Sequence, residues 1–149
     1  MEQKDFVKTC WSVLKKHSFI RKGNNFHYFY ESDFGLVYGL QKSIYGPYYY
    51  IEPAIYIKSI NEFMPFPPFD GTEIRCARLT HLVNGKTETT FYYETLNEEE
   101  IVNVLEESIP IYINLVNSGK EGIRKCYLEK SMYLSLWRGA ENFLELQNL

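Results

Sequence analysis

A chain of 149 residues, 45% hydrophobic and 17% aromatic, can bury one ordinary core and is too short for two independent ones, so residues 1–149 are expected to form a single domain. A formal net charge of −3 supplies no global field for nucleic acid or an anionic membrane, and neither is an expected partner. The amino terminus is charged from Glu2 onward without a continuous apolar run, which predicts neither a signal peptide nor a membrane span and makes the cytoplasm the default compartment.

From about Gln3 to His17 the apolar residues Phe6, Val7, Cys10, Trp11 and Leu14 recur at three- and four-residue spacings, predicting an amphipathic helix with Lys8, Lys15 and Lys16 outside. Arg21 to Asn25 is turn chemistry, and Phe26 to Tyr30 is aromatic enough for a first strand. The stretch Leu36 to Ser59 reads as two extended segments reversed at Tyr45-Gly46-Pro47-Tyr48. In its returning half Tyr49, Ile51, Ile55 and Ile57 share one face, and Tyr48, Tyr50, Glu52, Tyr56 and Lys58 share the other. The first face belongs to a core that the opening helix should cover. Pro53 cannot donate to a ladder and predicts an edge strand or a bulge between Glu52 and Ala54.

Three prolines and three phenylalanines between Phe63 and Phe69 predict an ordered apolar loop over a sheet edge or an end of the core. Glu73 to Val83 reads as a strand with a bulge near Ala77 and Arg78, turned by Asn84-Gly85 into a partner strand at Thr89 to Thr95. Asn97, with Glu100 three residues on, opens a long helix whose stripe is Ile101, Leu105, Ile109, Tyr112 and Val116, and Pro110 should kink or restart it near Ser108. From about Lys120 one or two further helices are expected, the last burying Met132, Leu136, Trp137, Ala140 and Leu144. The order predicts an α+β domain: an N-terminal helix, a mostly antiparallel sheet of about five strands, then C-terminal helices packed on the sheet.

Motifs for phosphate binding are absent from the sequence, and neither a cofactor nor a metal site is expected. Cys10, Cys76 and Cys126 are odd in number, widely spaced, and read as reduced core thiols; His17, His27 and His81 are scattered and read as solvent-facing. A nucleophile built from Cys76 with His27 or His81 is conceivable, but Cys76 alternates with the apolar Ile74, and a buried thiol is inert. The aromatic face of Tyr48, Tyr50 and Tyr56 could stack single-stranded nucleic acid, but in an acidic chain without a basic stripe cross-strand packing accounts for it better.

Ser18-Phe19-Ile20-Arg21-Lys22-Gly23-Asn24 before an aromatic strand, Gln41-Lys42-Ser43 before a Tyr-rich return strand, and Cys76-Ala77-Arg78-Leu79 together resemble a small bacterial family known only as domain of unknown function 4304. The resemblance spans roughly the first hundred residues, with an echo in Gly139-Ala140. It supports the fold and implies no activity, cofactor or partner. Where a different step is expected in the return strand this chain has Glu52-Pro53-Ala54.

Two functional expectations follow. The first is a non-enzymatic cytosolic binding protein, an immunity-type partner of a bacterial toxin. Seven glutamates and no basic residue between 87 and 118 make Glu98, Glu99, Glu106 and Glu107 its expected surface toward a basic protein. Glu98 and Glu99 also sit where a helix amino terminus favours acid. The alternative is a small enzyme or ligand-binding domain with a polar pocket near Gln41, Lys42, Ser43 and Arg78; the same residues could instead fix the turn and the sheet.

Overall fold

The structure, a computed structural model, describes residues 1–28, 33–61 and 66–146. Helix α1 (Gln3–Lys16) begins where the Glu2 backbone N–H donates to Asp5 Oδ2 at 3.2 Å, and it ends with Lys15 and Lys16 at the negative end of its dipole. Its spacing buries Phe6, Cys10, Val13 and Leu14, and the Phe6 ring stacks on Tyr49 at 4.8 Å. Trp11, expected among the buried residues, is only half-buried and leans on Phe26 at 5.7 Å.

Strands β1 (Phe19–Lys22), β2 (Asn25–Tyr28), β3 (Phe34–Lys42), β4 (Tyr48–Ile57) and β5 (Ile74–Cys76) follow. After them come β6 (His81–Val83), β7 (Lys86–Glu88), β8 (Phe91–Tyr92), α2 (Glu98–Asn117), α3 (Gly119–Glu129), β9 (Leu134–Leu136) and α4 (Ala140–Phe143). The main sheet is antiparallel in the order β1-β2-β3-β4-β5-β9, with β8 pairing the start of β4. The β3–β4 hairpin is its centre, in register from Phe34 opposite Ile57 to Lys42 opposite Tyr49. Phe26, Leu36, Tyr38, Leu40, Ile51, Ile55, Ile57 and Ile74 join one core with α1, α2 and α3. The Tyr38 hydroxyl lies 2.8 Å from Ser108 Oγ, tying the sheet to α2 inside that core. The chain is thus α+β, with the helix-covered face that the alternation of β4 predicts.

The opposite face is not open. Past the described gap, residues 66–71 cross it as a strap. Phe69 packs on Val37, Ala54 and Tyr56, and its backbone N–H donates to Asn25 Oδ1 at 3.1 Å. Gly39 admits this crossing, since a Cβ there would stand 3.0 Å from Phe69 Cβ. Phe66 meets the His27 ring edge-on at 5.4 Å. The apolar loop therefore covers a sheet face rather than an edge or an end; Phe63, Met64 and Pro65, like Phe29 and Tyr30, lie outside the described residues.

Several sequence expectations are revised. The mostly antiparallel sheet, expected with about five strands, has seven, and β6–β7 form a separate hairpin whose Asn84 and Gly85 have φ of 52° and 79°. Only three residues return from that turn before the chain leaves to pair β8 with Tyr48 and Tyr49, and the strand expected over 73–83 breaks between Cys76 and His81. Pro53 sits in a central strand without a bulge, opposite Tyr38. Ile51's carbonyl accepts from Leu79 N–H at 2.9 Å on the β5 side. By the alternation of backbone groups Pro53 faces that same side, between the short pairings made by β5 and β8, where no ladder donor is required. Helix α2 runs through Pro110 without a restart. The expected last helix is mostly strand β9, since Leu134-Ser135-Leu136 alternates and pairs with β5, leaving α4 one turn long and Trp137 half-exposed.

Candidate functional site

Period-two alternation in β4 turns Glu52 away from the helices, beneath the strap, where it is 5% exposed. Arg78, just beyond the break after β5, donates Nε to Glu52 Oε1 at 2.8 Å and lays its guanidinium on the Tyr50 ring at 3.7 Å. Gln41, opposite Tyr50 in the register, sets its amide against Glu52; donor–acceptor matching assigns the nitrogen to that side, 2.8 Å from Oε1 and 3.3 Å from Oε2. Burial pushes the Glu52 carboxyl above the usual carboxylate range; the Arg78 hydrogen bond opposes this and nearby Asp70 adds to it. Beside this group a cleft of about 190 Å³ opens between the strap and β3, lined by Asn24, Asn25, Gly39, Gln41, Glu52 and Asp70 together with the strap's Pro68 and Phe69.

The four residues expected to share a pocket are thus divided. Gln41 and Arg78 meet at Glu52, whereas Lys42 faces the other way and donates Nζ to the carbonyls of Ser43 at 2.7 Å and Gly46 at 2.9 Å. Ser43 is buried in the same turn, its Oγ accepting from Tyr45 N–H at 3.0 Å. Lys42 and Ser43 hold the hairpin end. The residue that sequence reasoning left out of the pocket is Glu52, although its face was legible; its distance across the register from Gln41 was not.

The four acidic residues are divided as well. Glu98 and Glu99 are exposed in the first turn of α2, which Asn97 caps by accepting from Glu100 N–H at 2.9 Å. Glu106 is engaged within the chain: Lys16 Nζ and His17 Nε2 each lie 2.8 Å from one of its oxygens. These contacts, Lys16 first, hold its carboxyl below the usual range. Glu107 is exposed and, with Glu100, edges a groove of about 690 Å³ between the β6–β7 hairpin and α2. Leu82, Val104, Ile111 and Met132 supply its apolar lining, with Leu82 71% exposed and Ile111 48% exposed. Neither lysine nor arginine lines the groove among the described residues.

The thiols and histidines form no catalytic pair. Cys10, Cys76 and Cys126 are free and buried, and desolvation pushes the Cys76 thiol far up, away from the thiolate a nucleophile needs. His27, expected to face solvent, is fully buried by the strap. His81 donates Nε2–H to the Thr90 carbonyl at 2.6 Å and stacks on Phe91 at 4.3 Å, anchoring the base of the hairpin. Among the described residues no group of three or more His, Cys, Asp and Glu could hold a metal ion, and no helix is long and apolar enough to cross a membrane.

A family model described as a domain of unknown function, DUF4304, matches residues 11–116. No curated protein and no solved structure matches the chain.

Proposed function

The chain belongs to the DUF4304 family, and from the geometry of this member we propose a non-enzymatic protein-binding module whose groove between β6–β7 and α2 receives a basic, amphipathic segment of a partner protein. One observation carries the reading: an apolar lining of Leu82, Val104, Ile111 and Met132 lies beside Glu100 and Glu107, and no lysine or arginine lines the groove among the described residues. Exposed apolar side chains gathered around a groove mark an interaction surface better than scattered ones do. The two carboxylates would steer a positive partner and fix its register. Glu98 and Glu99, within one helical turn of Glu100, extend the same field. A basic toxin nuclease bound by an immunity-type protein is the partner class that this chemistry favours.

The test captures partners from cells of the native host at low salt, then measures the purified partner against wild type, Glu100→Lys/Glu107→Lys and Leu82→Ser. Glu106 is left intact, because reversing it would break the contact between α1 and α2 rather than probe the groove. The charge-reversed variant should associate more slowly and bind about tenfold or more weakly, with a shallower salt dependence. Leu82→Ser should dissociate faster. Equal binding by all three proteins, or the absence of any basic partner, removes the reading.

A further inference from the structure

We propose that the cleft between α1 and the β1–β2 hairpin binds a phosphate monoester with an apolar or aromatic organic part, held by Lys4, Lys8 and Arg21 beside Val7 and Trp11. The first observation is positive charge that the fold leaves unanswered. The whole chain carries a formal −3, yet three cations and a single carboxylate line this space of about 720 Å³. That carboxylate, Glu2, lies 3.4 Å from Lys4. Neither Lys8 nor Arg21 pairs with a carboxylate among the described residues, whereas Lys16, Arg78 and Lys120 each do. Arg21 donates Nε to the Gly23 carbonyl at 2.8 Å, and the planar fork of its two terminal nitrogens stays open to a ligand.

The second observation is a buried donor. Tyr49 is 1% exposed, its ring fixed by stacking on Phe6. Its hydroxyl accepts from Gln3 Nε2 at 3.0 Å, and both residues line the cleft. The hydroxyl's own proton has no acceptor among the described residues. An O–H buried without an acceptor is costly, and a ligand oxygen at this wall would relieve it. Trp11, a large aromatic left half-buried, adds apolar surface to the same lining.

These features select the ligand. A phosphate monoester brings nearly two negative charges and three acceptor oxygens near neutral pH, matching three cations less one carboxylate. A carboxylate ligand brings half that charge. The volume falls within the roughly 300–1,000 Å³ of small-molecule sites, so a phenyl ring or a nucleoside fits beside the phosphate. The phosphate can belong to a free small molecule or to a phosphorylated side chain of a polypeptide, and the chemistry of recognition is shared. No residue of this lining belongs to the groove between β6–β7 and α2, so the site does not rest on the reading given above for that groove.

Calorimetric titration of the full chain with phenyl phosphate, adenosine monophosphate and a short capped phosphotyrosine peptide distinguishes the two sources. Inorganic phosphate and the unphosphorylated counterparts are the controls, and the indole N–H NMR shift of Trp11 locates the binding. At least one monoester should bind saturably, shift Trp11, and bind about tenfold or more tightly than inorganic phosphate or its own unphosphorylated counterpart. Preference for the free compounds or for the peptide reports the source. Lys8→Glu, at an exposed position, should weaken binding about tenfold or more. Tyr49→Phe, which keeps the stacked ring, should weaken it about threefold. Should Tyr49→Phe fail to fold, the exposed Lys8→Glu decides alone. No saturable binding of any monoester, inorganic phosphate bound as tightly, or binding undiminished in Lys8→Glu overturns the proposal.

Discussion

Glu106 Oε2 lies 2.8 Å from His17 Nε2, joining the middle of α2 to the residue that caps α1. Lys16 holds the other oxygen, also at 2.8 Å. The pair crosses from the basic N-terminal stretch to the glutamate-rich one, so part of the charge asymmetry of this chain is spent on packing two helices. Because the site is partly solvated, Glu106→Gln should cost only about 0.5–1 kcal/mol, measurable by urea unfolding. The Glu106 carboxyl is depressed in the folded state. Its contribution is therefore present above the unfolded pKa near 4.5 and is lost as pH falls through the lower folded value. The difference between wild type and Glu106→Gln should close in acid and in high salt.

The stacking of Phe6 on Tyr49 sets a second expectation. Phe6 is fully buried and Trp11 is not. Phe6→Ala should cost about 3–5 kcal/mol, the range for a truncated buried aromatic, and Trp11→Ala distinctly less, although the sequence marks Trp11 as the larger payload. Thermal melts of the two variants rank them. A Trp11 variant that melts below the Phe6 variant would contradict the packing of α1 described above.

What could be read in advance divides along local and non-local lines. Tyr49, Ile51, Ile55 and Ile57 alternate within one strand, and Gly46-Pro47 marks its turn, so the central hairpin was legible. Strand β9 was not: Leu134-Ser135-Leu136 acquires its partner only from Ile74 to Cys76, and three residues carry too little period to outweigh a helical stripe. The prolines before Phe69 announced an irregular segment, but not that it would cross the second face of the sheet and bury His27 and Glu52. The Glu52–Arg78 pair and the Glu106 contacts depend on strand register and helix packing respectively. Composition can show that such charges exist but not which of them meet.

Gly35 makes a close approach that only its missing side chain permits. The Tyr56 ring lies across it, and a Cβ added at Gly35 would fall within the van der Waals envelope of that ring. Gly35→Ala should therefore destabilise the fold by at least 1–3 kcal/mol, roughly the cost of overpacking. Tyr56→Ala alone leaves a cavity. In the double variant the alanine methyl occupies space that the ring vacated, so its cost should fall short of the sum of the two single costs by about 1 kcal/mol or more. Chemical denaturation of the four proteins measures this coupling, and simple additivity would show that the ring is free to move aside.

His27 carries the last expectation. It is fully buried with neither ring nitrogen hydrogen-bonded, beside the equally unpartnered Tyr56 hydroxyl and under Phe66. Burial, and secondarily the charge of Lys22, lowers its pKa from 6.5 to about 4. Between those values the unfolded chain binds a proton that the folded chain refuses. Stability therefore rises with pH across this window and is lost as pH falls from about 6.5 toward 4, by up to roughly 3 kcal/mol at about 1.4 kcal/mol per pKa unit. Glu52 and Glu73, whose carboxyls burial raises, act in the opposite sense at the lower end of the window, so the difference between two proteins is the cleaner measure. His27→Leu removes both orphaned nitrogens, keeps an apolar filling beneath Phe66, and should be at least as stable as wild type near neutrality. Melting temperatures of the two should diverge progressively from about pH 6.5 downward, with wild type the lower. Parallel profiles would mean that the folded protein accommodates the imidazolium, and that the strap opens to water over His27 more readily than its packing implies.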